Sequence, residues 1–134
     1  MRPDRLLLVV CAASAMAAAP VTRTATPLPQ GVTPEMVDRG KVIFQGVGRC
    51  ARCHGPNATG TDRGSDLSSG RWLHTHGQYE EIVQVVTNGV PKPKEHPLPM
   101  PPRGGSKITP DQIRDVAAFV WRRGHPDQPS PPSR

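Results

Sequence analysis

Cys50-Ala51-Arg52-Cys53-His54 sets two thiols three positions apart with an imidazole directly after the second. This pattern, C-x-x-C-H, is the attachment sequence for c-type haem. Each thiol can add across one haem vinyl group to form a thioether. His54 then lies under the iron and offers a ring nitrogen as proximal ligand. A thioredoxin-like redox pair should follow a strand in a βαβ pattern, which the chain lacks. Tetrahedral zinc wants four ligands, and no second Cys pair is present to supply them. The residues therefore point to one haem c, covalent through Cys50 and Cys53.

An electron-transfer haem needs a second axial ligand. Met100 leads, in Pro97-Leu98-Pro99-Met100-Pro101-Pro102, because prolines stiffen the loop and present the thioether at low entropic cost. His96, four residues earlier in the same loop, would instead give a bis-histidine site. An open iron is the third reading. His74 and His76 precede the middle helix, and His125 belongs to the tail. Met/His ligation raises the reduction potential, so the choice decides which redox partners are accessible.

The rest of the chain must position these groups. Arg2 and Arg5, then Leu6 to Val10 and an Ala-rich stretch ending at Ala19, predict a cleaved export signal over 1–19. Its apolar run is short for a membrane span of about 20 residues. The alternative is an uncleaved N-terminal anchor. Cys11 falls in the discarded segment, so no thiol remains outside the haem motif. Residues 20–32, rich in Pro and Thr, read as an extended linker, and 125–134, with four prolines, as a disordered tail. The net charge is +6 with pI ≈ 9.9. Two Phe, two Trp and one Tyr make a thin core. A buried porphyrin would supply the missing apolar surface, and protein without it should fold poorly.

Three helices are expected over 33–124, with no convincing alternating strand. The first starts at Thr33-Pro34-Glu35 and runs to about Gln45, carrying Met36, Val37, Ile43 and Phe44. The second covers Gln78 to Asn88, with Tyr79, Ile82, Val83 and Val86 on one face and Gly89 as terminator. The third opens on the capping box Thr109-Pro110-Asp111-Gln112 and closes at Gly124. Its apolar face is Ile113, Val116, Ala117 and Val120.

This order of helix, C-x-x-C-H, helix, Pro-rich Met loop and terminal helix resembles a class I c-type cytochrome, over essentially all of 33–124. The resemblance implies an all-α fold, three main helices and loops wrapped around one haem. It further implies that Gly40 and Phe44 pack across the last helix against Phe119 of Ala117-Ala118-Phe119-Val120. Met100-Pro101-Pro102-Arg103-Gly104-Gly105 resembles the family's ligand loop. Relatives orient the proximal imidazole with a carbonyl from Gly-Pro-x-Leu. Here the segment is Gly64-Ser65-Asp66-Leu67, in which Ser65 keeps a carbonyl but loses the proline's stiffness. Leu67 corresponds to the leucine near the haem, and Trp72 to a tryptophan that bonds a propionate in some relatives.

The expected function is a soluble periplasmic one-electron carrier, an electron-transfer protein with no catalytic residues. A subunit docked on a periplasmic dehydrogenase or terminal oxidase is the alternative. A sensor or peroxidase with an open distal site is weaker, since no arranged acid–base pair is legible. Lys92, Lys94, Arg103 and Lys107 near the Met loop, with Arg49 and Arg52 beside the motif, suit redox partners with acidic docking faces. Export and the lack of aromatic interleaving argue against nucleic acid. Membrane contact is expected only through partners or an uncleaved anchor.

Overall fold

Thr33 caps the first helix by accepting from the Met36 amide at 3.3 Å, and Pro34 occupies the first helical position. In the computed structural model, which describes residues 23–24, 26–126 and 128–129, this helix (α1) spans Pro34–Gln45. A short helix α2, Ala51–His54, carries the C-x-x-C-H motif. Helix α3, Tyr79–Asn88, starts one residue later than expected, because Gln78 stands at its cap in extended conformation. A 3₁₀ segment, Pro102–Gly105, follows the Met loop. Helix α4, Pro110–Gly124, opens on a reciprocal capping box, Gln112 N to Thr109 Oγ1 at 3.2 Å and Thr109 N to Gln112 Oε1 at 2.9 Å.

Helices α1 and α4 cross where Gly40 has no side chain. A Cβ on Gly40 would run into the backbone carbonyl of Asp115 and reach Phe119 Cβ at 3.0 Å. Beside this crossing the rings of Phe44 and Phe119 meet at 5.1 Å and 60°. Arg39 grips the buried Asp115 carboxylate with two bonds of 2.8 Å each. Helix α3 closes the third side, its Tyr79 hydroxyl donating to the Arg114 carbonyl at 3.1 Å.

Every residue of α4 from Asp115 to Trp121 is buried. The one-sided apolar stripe expected of it is therefore too narrow. The physical reason is that α1, α3 and the segment ahead of α1 pack around it from different sides. That segment, 26–32, belongs to the stretch expected as a linker, yet Val32 is buried and Leu28 packs on the core. Arg122 also donates to the Thr26 carbonyl at 2.7 Å. At the other end His125, expected in a mobile tail, stacks on Trp121 at 4.2 Å and 15°.

Extended pairing among the described residues is slight. Arg23–Thr24 and Gln128–Pro129 form a two-residue antiparallel ladder, and Val90 and Met100 form one bridge. No helix among the described residues is long and apolar enough to cross a membrane. The expected signal at 1–19, with Cys11, lies outside the described residues.

Candidate haem site

Helix α2 converts sequence spacing into a shared face. The amides of Cys53 and His54 both bond back to the Cys50 carbonyl, at 3.2 and 3.0 Å, so Cys50, Cys53 and His54 fall on one side of a single turn. Arg49 enters this turn with φ 60°, a left-handed residue that redirects the chain. Both thiols are free; Cys50 is buried and Cys53 half-buried. Burial pushes the Cys50 thiol up to about 11.

His54 is oriented from behind. Its Nδ1 lies 2.8 Å from the Ser65 carbonyl oxygen, which can only accept, so Nδ1 carries the proton and Nε2 keeps its lone pair. Burial holds the His54 pKa below the ordinary imidazole value, against the Ser65 bond, which favours the charged ring, and with the nearby His96 adding to the lowering. The neutral form that a metal needs is thus the favoured one.

The stiffness lost with the proline is replaced by backbone bonds around Ser65. The Gly60 amide donates to the His54 carbonyl at 2.8 Å, Thr61 to Gly64 at 2.9 Å, and Leu67 to Ala58 at 2.8 Å. Gly64 itself passes so close beneath α2 that a Cβ there would meet the Cys53 carbonyl oxygen at 2.9 Å.

Met100 is held by its main chain. Its amide and carbonyl both pair with Val90, at 3.0 and 2.8 Å, which closes residues 91–99 into a loop. Met100 and His54 line one cleft, together with Cys50 and Cys53. Its cavity volume is about 230 Å³, and a second hollow of about 90 Å³ adjoins it at Cys50, His54 and Met100. Leu73, Val90, Leu98 and Pro99 add apolar wall to the cleft. The adjoining hollow is walled by Leu67, Trp72, Ile82, Val86, Val116 and Val120.

Of the competing histidines, His96 and His74 also border the cleft, whereas His76 and His125 do not. Trp72 is wedged between Gly77 and Gly124, with its indole nitrogen against Gly77. The Arg71 guanidinium is engaged by both carboxylate oxygens of Glu95, one bond measuring 2.9 Å. Arg49, Arg52 and Arg63 stand at the mouth. Leu73 and Val90 carried no signal in the sequence, since each sits in an irregular segment with no periodicity. Val86 was legible from the face of α3.

A greasy cleft with two thiols on one wall, a neutral imidazole beside them and a thioether in the same space fits an iron porphyrin. The apolar walls suit the macrocycle, and the nitrogen and sulfur donors suit the metal.

Comparison with known proteins agrees. Residues 35–120, more than half of the chain, match the family model described as cytochrome c oxidase, cbb3-type, subunit III. The chain is 30% identical over 87 residues to the cbb3-type cytochrome c oxidase subunit CcoP of Rubrivivax gelatinosus, covering 65% of this chain and 26% of that protein. It is 34% identical over 87 residues to the subunit FixP of Sinorhizobium medicae, covering 63% and 29%. It is 35% identical over 74 residues to FixP of Rhizobium meliloti, covering 53% and 25%. The chain thus spans about a quarter of the length of these relatives. No solved structure matches it. The chain belongs to the family of cbb3-type cytochrome c oxidase subunit III, and it is a haem-binding c-type cytochrome.

Proposed function

We propose that this chain is an exported one-electron carrier whose single haem c is held covalently by Cys50 and Cys53 and axially by His54 and Met100. The observation that carries this reading is that all four side chains border one apolar cleft. When bound, the haem supplies a ferrous/ferric couple. The protein's own part is to hold and shield it. The Ser65 carbonyl fixes the ring of His54. The Val90 pairing fixes the backbone of Met100. Leu67, Trp72, Val116 and Val120 keep water from the inner wall.

Arg49, Arg52 and Arg63 at the mouth favour redox partners with acidic faces. The relatives named as oxidase subunits support a second reading, in which the domain stays docked on a terminal oxidase and relays electrons within it. Native gel filtration separates the two, a free carrier eluting as a small protein and a subunit with its complex.

The test of the attachment is a haem stain of the denatured full-length protein, together with its mass. Stain on the polypeptide and a mass increment of one haem are expected. Haem removed by acid–acetone would overturn the covalent reading.

A further inference from the structure

Among the residues that border the cleft with His54, two able to ligate iron sit four apart in one loop: Met100 and His96. Their backbones are held very differently. Met100 is locked to Val90 by two main-chain bonds. His96 lies in the tripeptide Lys94-Glu95-His96, bounded by Pro93 and Pro97, which have no amide hydrogen to tie down. Among the described residues, hydrogen bonds and an ion pair join this tripeptide to the rest of the domain at Lys94 and Glu95. At Lys94 it is a long bond of 3.4 Å from the amide to His74 Nε2. At Glu95 it is the two-pronged ion pair with Arg71. Arg71 is a firm base for it, because the next residue, Trp72, is clamped between Gly77 and Gly124.

We propose that the Arg71–Glu95 pair is a latch that keeps His96 away from the sixth position of the haem iron and so leaves that position to Met100. The inference rests on the haem reading above and assigns Arg71 and Glu95 as positioning residues. Freed of the latch, the tripeptide keeps, among the described residues, one long hydrogen bond to the rest of the domain, from Lys94 to His74. An imidazole already at the cleft then competes for iron, a metal it suits. The pair is partly exposed, with side-chain exposures of 68% and 42%. Its hold is therefore modest and weakened by salt, about two- to five-fold in the His96-bound fraction.

The experiment uses azide as a competing ligand on the full-length ferric protein. Met100→Ala opens the iron, and the azide dissociation constant is compared in Met100→Ala, Met100→Ala/Glu95→Gln and Met100→Ala/Glu95→Gln/His96→Ala. Loss of the latch should weaken azide binding about two- to five-fold, and removal of His96 should restore it. The sign is diagnostic. Deleting a negative charge beside the cleft would by itself tighten binding of an anion. Unchanged or tighter azide binding on Glu95→Gln overturns the latch, and so does a weakening that persists without His96. Failure of the underlying reading looks different: the unsubstituted protein would lack the red charge-transfer band of sulfur-ligated ferric haem, or lose its haem to acid–acetone. Either of those results is read on the unsubstituted protein and overturns the haem reading together with the latch that rests on it, whereas the azide series on the variants overturns the latch alone.

Discussion

The Nδ1 of His54 donates to the Ser65 carbonyl at 2.8 Å, a bond that requires a main-chain oxygen and no particular side chain. Position 65 can therefore change identity while the imidazole stays fixed, provided the turn keeps its path. Ser65→Pro tests this. The substitution should leave the visible spectrum unaltered and stabilise the protein by about 0.4–1 kcal/mol through a stiffer unfolded chain. Guanidinium unfolding of the two proteins measures the difference. A destabilised variant would mean that the turn around residue 65 does not accept a proline's backbone angles.

Gly40→Ala should be costly despite alanine's better helix propensity. The propensity term favours alanine by about 1 kcal/mol. The new Cβ would collide with the Asp115 carbonyl, which is rigid backbone and has no rotamer to yield. Forcing α1 and α4 apart costs about 1–3 kcal/mol net, and urea midpoints should fall accordingly.

Met100→Ala should abolish the red charge-transfer band, admit azide or cyanide to the ferric iron and lower the reduction potential. Absorption spectra with and without azide, and a redox titration, read all three. A band that survives the substitution would remove Met100 from the coordination sphere.

Electron transfer to the physiological acceptor should slow as salt is added, because Arg49, Arg52 and Arg63 crowd the cleft mouth. Stopped-flow rates across a salt series check this. A rate that rises with ionic strength would assign the basic groups no part in docking.

The chemistry of this chain was far more legible than its packing. C-x-x-C-H and the Met loop stand out because the roles proposed for them depend on local spacing or on a few prolines. Helix starts were legible for the same reason, since Thr33 and Thr109 cap within three residues of themselves. The pair Arg39–Asp115, 76 residues apart, leaves no mark in sequence, because neither partner fixes the other's position along the chain. Leu28 and Val32 sit among Pro-rich neighbours that read as linker, since two apolar residues without a period do not reveal the surface that receives them. Ser65 shows the middle case. The carbonyl was visible, while the hydrogen bonds that steady it depend on the fold around α2.

Helix α4, buried from Asp115 to Trp121, is the common floor on which α1, α3 and the 26–32 segment stand. Val116 and Val120 make it a wall of the cleft as well. No neighbour can lift away without wetting this floor, so the domain has no layer that melts by itself. The amides in the middle of α4 are then the last to exchange with solvent, and they open only when the whole domain does. Slow exchange there would report the cooperativity of the entire unit rather than the strength of one helix.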